Sequence, residues 1–200
     1  MKRYRILVVG ILLAIVALSY GCAGSNQYMR PASEEKGLSA PADNESMVVF
    51  MRPSGFGFAI SSSVFDISDK DETFVGIVSA KKKVAYRTNP GEHMFMVIGE
   101  TADFMKATLQ PGKTYYALVT PRMGAWKARF SLKPVLKSEL SSGEFKDWLS
   151  TCDFTENTPE AFEWAKHNSP SIRSKRAASW EKWNEKAESD KPTLNSDDCL

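Results

Sequence analysis

Only two histidines and three cysteines occur among the 200 residues. No Gly-x-Ser-x-Gly elbow, phosphate-binding loop or dinucleotide fingerprint is present. Neither His93 nor His167 stands at metal-ligand spacing from a Cys, the other His or a carboxylate. These absences exclude the enzymes that announce themselves by motif and imply no cofactor and no metal. They leave room only for a Ser–His–Asp site assembled across loops. Charge of one sign is missing too. The formal net charge is +2, but Lys2, Arg3 and Arg5 stand before any acid; without those three of the 26 basic residues, 23 face 24 acidic ones. Electrostatics therefore gives no support to a nucleic-acid partner. Twelve Gly and ten Pro exclude collagen-like and low-complexity chains. Just one apolar run approaches the length of a membrane span.

That run opens the chain. A basic stretch precedes apolar residues from Ile6 to Leu18, and small residues and a cysteine follow. This is the layout of a secretory signal. Its end, Leu18-Ser19-Tyr20-Gly21-Cys22, resembles the lipobox of bacterial lipoproteins, with Ser19 where the pattern usually has Leu. The resemblance implies a signal peptide over 1–21 and lipidation of Cys22, with small Gly21 at the cleavage site. Ala23, rather than Asp, follows the cysteine, which by the enterobacterial sorting pattern implies the outer membrane and a domain facing the periplasm. Several acyl chains, at about 0.8 kcal/mol per buried methylene, make such an anchor effectively permanent. Residues 23–46 show no apolar periodicity and are rich in Ser, Ala, Pro and Glu. With Cys22 they read as a flexible tether over 22–46, reaching roughly 27 Å as a coil.

From Met47 the pattern has period two, as in strands. Strands are expected at Met47–Arg52, Phe56–Ile60, Val64–Ile67, Phe74–Val78, Val84–Arg87, His93–Ile98, Tyr115–Thr120 and Trp126–Lys133. Asn89-Pro90-Gly91-Glu92 and Gln110-Pro111-Gly112-Lys113 each place Pro then Gly at the centre of a turn. Pro fixes φ near −65° and Gly accepts positive φ, the requirements of a type II turn. Short strands punctuated this way predict a mainly β fold, an antiparallel β-sandwich over 47–136 with a C-terminal α-helical extension.

Three segments carry a further resemblance: Phe50-Met51-Arg52-Pro53-Ser54-Gly55, the turn Pro90 to His93, and Pro111 to Tyr116. Together they resemble a family of short bacterial lipoproteins with a prealbumin-like or PEGA-like β-sandwich of unknown function, over residues 46–134. The resemblance implies a small non-enzymatic module on a lipid anchor. It brings no catalytic residues.

After Pro134 the period becomes 3.6. Ser141 with Glu144 is a candidate capping box, and Phe145, Trp148, Leu149 and Cys152 share one helical face. Thr158-Pro159 and Ser169-Pro170 mark two further helix starts. Ile172, Arg176, Trp180, Trp183 and Ala187 form a stripe. The Trp-rich extension spans 137–189, and 190–200 reads as a frayed tail. Trp180 and Trp183 either dock the helices on the sandwich or offer a face to a partner or membrane. Cys152 and Cys199 are an even pair suited to a disulfide in an oxidising compartment.

Smaller features have plain readings. Ser61-Ser62-Ser63 is a loop or bulge, Lys81-Lys82-Lys83 a solvated hairpin tip, and Asp69, Asp71 and Glu72 an acidic turn without a full calcium loop. Met94, Met96, Met105 and Met123 fill a core. The combined expectation is a non-catalytic, lipid-anchored envelope module that binds or scaffolds a protein partner. Peptidoglycan, another carbohydrate or a small ligand is the alternative, and a hydrolase the third reading.

Overall fold

A computed structural model describes residues 27–33, 39–122 and 128–200. The expected signal peptide, Cys22, Met123 and the opening of the strand expected from Trp126 lie outside the described residues. In chain order the elements are β1 (Met29–Pro31), β2 (Ser46–Arg52), β3 (Ser62–Asp66), β4 (Thr73–Val78), β5 (Lys82–Thr88), β6 (Gly91–Ile98), β7 (Ala102–Leu109), β8 (Thr114–Arg122) and β9 (Arg129–Pro134). Then follow α1 (Gly143–Thr151), β10 (Asp153–Asn157), α2 (Pro159–His167), α3 (Ser169–Asn184) and β11 (Thr193–Leu194).

The fold is mainly β: two sheets, ordered β1-β10-β5-β2-β8-β9 and β11-β7-β6-β3-β4, face each other. Consecutive strands that pair, β3–β4, β6–β7 and β8–β9, are antiparallel. Three pairs formed across long connections, β2–β8, β10–β5 and β11–β7, are parallel, so both sheets are mixed. The turn at Gln110–Lys113 forms as the sequence requires, with Gly112 at φ 71°.

Strand alternation explains the layering. In β2, Val48 and Phe50 point between the sheets, against Phe95, Val97 and Met105 of the second sheet. Met47, Val49 and Met51 point outward, yet are equally buried, because Phe145 of α1, Leu140, Val135 and Phe154 cover them. On the far side, α2 and α3 cover the outward residues Phe65, Met96 and Phe104 through Ala165, Ile172 and Trp183. The result is four layers: helix, sheet, sheet, helix pair. Strands covered on both faces read as unbroken apolar runs, which is why Met94–Ile98 carries no polar alternation.

The helices begin where local chemistry starts them. Ser142, one residue after the expected cap, accepts from Phe145 N at 3.0 Å. Pro stands in the first turn of both α2 and α3, as expected.

Several expectations are corrected. The tether is not free along its length: β1 pairs with β10, Met29 is buried in the core, and Ser39 accepts from Arg87 at 2.6 Å through its carbonyl. The helical extension contributes β10 to the first sheet, and the tail contributes β11 to the second, with Cys199 bridging Tyr115. Phe56–Ile60 is an exposed turn rather than a strand. Lys83 is buried, donating to the Leu149 carbonyl at 2.6 Å over the Phe154 ring, so the lysine run is not wholly solvated.

Candidate functional site

The residues singled out by sequence fall into separate places. Trp183 is 3% exposed, and its ring centroid lies 5.6 Å from that of Phe104. Trp180 packs edge-on against the same ring at 4.9 Å. Both tryptophans fasten α3 to the sandwich, Trp183 buried and Trp180 half-buried, so of the expected partner-binding pair only Trp180 keeps exposed surface. Cys152 and Cys199 are both free thiols. Cys152 sits in the outer cluster beneath α1, whereas Cys199 packs at the inner core beside Tyr115. The first sheet thus stands between them, which corrects the disulfide reading. Glu72 binds α3, through Arg173 and Arg176, each at 3.0 Å. No cluster of three metal-ligating side chains occurs among the described residues.

His93 does meet an acid and a serine. Its Nδ1 lies 2.8 Å from Asp66 Oδ2 and 3.2 Å from Ser68 Oγ. Ser68 donates its hydroxyl to Asp66 Oδ1, and Tyr86 donates to Oδ2 at 3.2 Å. Nucleophilic catalysis needs an imidazole nitrogen free to take the hydroxyl proton. Here Nε2 is spent on the Asn89 carbonyl at 2.9 Å. The Ser68 proton is committed to the carboxylate, and the two ionisable side chains are only 9% and 7% exposed. Burial opposes both charges. The hydrogen bonds outweigh it, raising the His93 pKa and lowering that of Asp66. Burial and the Asp66 charge push Tyr86 up to about 12. The cluster is wired as a buried ion pair that ties β3 to the start of β6.

Elsewhere, a cleft of about 300 Å³ lies where the ends of β3, β4 and β6 meet α2, α3 and the N-terminal segment. Ser61 and Ser79 bring hydroxyls to its surface, while Ser62 and Ser63 line it from buried positions. Antiparallel pairing sets Ser62 opposite Val78, whose carbonyl accepts its hydroxyl at 3.3 Å, and Ser61 Oγ lies 2.7 Å from Ser79 Oγ. Trp164 and Tyr28 form an aromatic wall, their ring centroids 6.0 Å apart and tilted by 48°. Tyr28 is strapped there because its carbonyl accepts from Thr158 N at 3.0 Å, and the Gln27 carbonyl accepts from the Thr158 hydroxyl at 2.8 Å. Lys175 reaches the cleft from α3 and donates to the Gly99 carbonyl at 2.7 Å. Gly99 admits no side chain: a Cβ would stand 2.7 Å from the Phe130 ring and 3.0 Å from the Ala128 carbonyl.

A second cleft, about 400 Å³ between β7 and α3, is ringed by Arg122, Arg129, Lys182 and Lys186. Its charge is partly spent, since Asp103 takes ion pairs from Arg122 at 3.1 Å and Lys186 at 3.5 Å.

Sequence reasoning missed the serine-lined cleft. In the sequence its serines read as a loop or bulge, Tyr28 falls in the expected tether, and Trp164 is one aromatic among several. The legible signal was three hydroxyls directly preceding the apolar strand Val64–Ile67. Known proteins add nothing to these assignments: no protein-family model matches the chain, and no curated protein sequence matches it.

Proposed function

We propose that the chain is a non-catalytic binding module, anchored to the bacterial cell envelope through lipid on Cys22, that takes a hydroxylated, saccharide-like ligand in the Ser61–Ser63 cleft. One observation carries the ligand reading: hydroxyls, two aromatic rings and an ammonium converge on a single concavity of about 300 Å³. Binding sites pair an apolar wall with a few placed polar groups, and this volume lies at the low end of their usual range. Aromatic rings suit the C–H faces of a sugar, serine hydroxyls suit its hydroxyls, and Lys175 suits a carboxylate on it. The signal-and-lipobox pattern before residue 23 supports the anchor. The resemblance of the turn and strand-start motifs to those of prealbumin-like lipoproteins supports the same reading.

A protein partner is less well supported. Trp183 is packed against the second sheet, and of the four edge strands β1 and β11 have only three and two residues, which offer little backbone for strand addition, while β4 and β9 have six each.

The test is cosedimentation of residues 23–200 with purified peptidoglycan, for the native sequence and for Lys175→Ala and Trp164→Ala. Native protein in the pellet, with both variants folded but in the supernatant, is the expected result. Native protein left in solution removes peptidoglycan as the ligand.

A further inference from the structure

The most unusual surface feature is the connection between β2 and β3. Its tip exposes Phe56, Phe58 and Ile60 at 57%, 79% and 45%. Exposed apolar side chains are common singly, but three on one short turn are not. The turn is also held firmly. Arg52, fully buried, donates to the carbonyls of Ile60 at 2.6 Å, Phe56 at 2.7 Å and Gly57 at 2.9 Å. Its guanidinium rests over the Phe130 ring, 4.9 Å from the centroid. Gly57 supplies the left-handed φ of 64° that the turn needs. A buried cation has thus been committed to keeping two phenylalanines in water.

We infer that this turn is a wedge that enters the interfacial layer of the bilayer carrying the Cys22 lipid. The inference rests on the anchor reading above. Three observations choose a bilayer as the occupant. The described chain begins at Gln27, five residues after Cys22, so the anchor point is held within about 18 Å of the body. The neighbouring Tyr28 lines the same cleft as Ser61, the residue that follows Ile60, so the wedge and the departing N-terminus share one side of the molecule. The charge also fits: residues 52–65 hold no acid, and the exposed Lys81 lies on the adjacent turn, its N–H donating to the Arg52 carbonyl at 2.8 Å. Amphipathic surfaces of this kind, apolar at the tip and basic behind, suit anionic headgroups.

The experiment uses the full chain reconstituted in vesicles of phosphatidylethanolamine and phosphatidylglycerol. A benzophenone side chain replaces either Phe58 or, as a reference, Leu136. Leu136 is also exposed, but it follows β9 toward the end of the first sheet opposite Arg52, as the bond from Val135 N to the Tyr116 carbonyl at 3.0 Å shows. After illumination, phospholipid adducts at position 58 should exceed those at position 136 by about tenfold, the ratio of one decade in partitioning. Equal adducts at the two positions overturn the inference, as does adduct formation at position 58 with a second protein copy. The mass of the N-terminal peptide in the same spectra reads the anchor separately. Acyl chains on Cys22 without lipid at position 58 reject the wedge alone; lipid at position 58 without acyl chains rejects the anchor alone.

Discussion

His93 Nδ1 stands 2.8 Å from Asp66 Oδ2, and the same ring reaches the Asn89 carbonyl with Nε2 at 2.9 Å. Both ring nitrogens face acceptors, so the imidazolium satisfies both and the neutral ring only one. The ring also stacks on Phe95, with centroids 5.7 Å apart and planes within 6°. A sandwich whose sheets depend on packing has placed one ion pair at the corner where β3 ends and β6 begins.

This pair makes stability depend on pH. The His93 pKa is raised from its ordinary 6.5, so its contribution is complete below that value and fades as pH rises through the folded value. The Asp66 pKa is lowered from its ordinary 3.8, so its contribution is complete above that value and fades as pH falls through the folded one. The pair therefore contributes most between pH 3.8 and 6.5. Urea midpoints should fall between about pH 6 and about pH 8.5, and His93→Gln should flatten that slope. An unchanged slope in the variant would assign the alkaline loss to other groups.

Trp183 should behave as core. Trp183→Ala leaves a void over Phe104 and should cost about 3–5 kcal/mol, whereas half-buried Trp180→Ala should cost about half as much. Chemical denaturation followed by circular dichroism measures both. Equal stability for native protein and Trp183→Ala would mean that α3 does not rest on the second sheet.

The β body was legible because its turns and alternation are local. Pro-Gly at 111–112 and the apolar residues of β2, β6 and β8 specify their strands without reference to the rest of the chain. What escaped was non-local. β1 and β10 acquire strand structure by pairing with each other, and β11 by lying beside β7, across separations that no short window contains. Phe56–Ile60 alternates like a strand, but Arg52 captures its carbonyls before a neighbouring strand can. The pairing of His93 with Asp66 is equally non-local; only the residue types were visible. Trp180 and Trp183 share one stripe in the sequence, and only the packed second sheet shows that Trp183 is buried and Trp180 half-buried.

The cysteines offer a direct chemical test. Cys152 is buried and burial raises its thiol pKa, while Cys199 is part-exposed at the C-terminus. A thiol reagent applied to residues 23–200 should label Cys199 readily and Cys152 only after unfolding, since the thiolate is the reactive form. Two thiols should be counted in denaturant without reductant. A count of zero would show that the sulfurs reach each other despite the sheet between them.

Arg52 should govern both the shape of the turn and part of the stability. Arg52→Met keeps the length of the side chain and its contact with Phe130, but leaves the carbonyls of Phe56, Gly57 and Ile60 without their donor. A loss of about 2–4 kcal/mol is expected, because hydrogen bonds to charged groups are the strong ones. Arg52→Lys should recover part of it, since one ammonium cannot reproduce the fork that serves three carbonyls. Hydrogen exchange localises the effect. The Ile60 amide, which donates to the Gly57 carbonyl at 3.0 Å, should lose protection, while amides of β6 and β7 keep theirs. If Ile60 stays protected in Arg52→Met, the turn holds its own shape; the buried guanidinium would then act only as packing against Phe130.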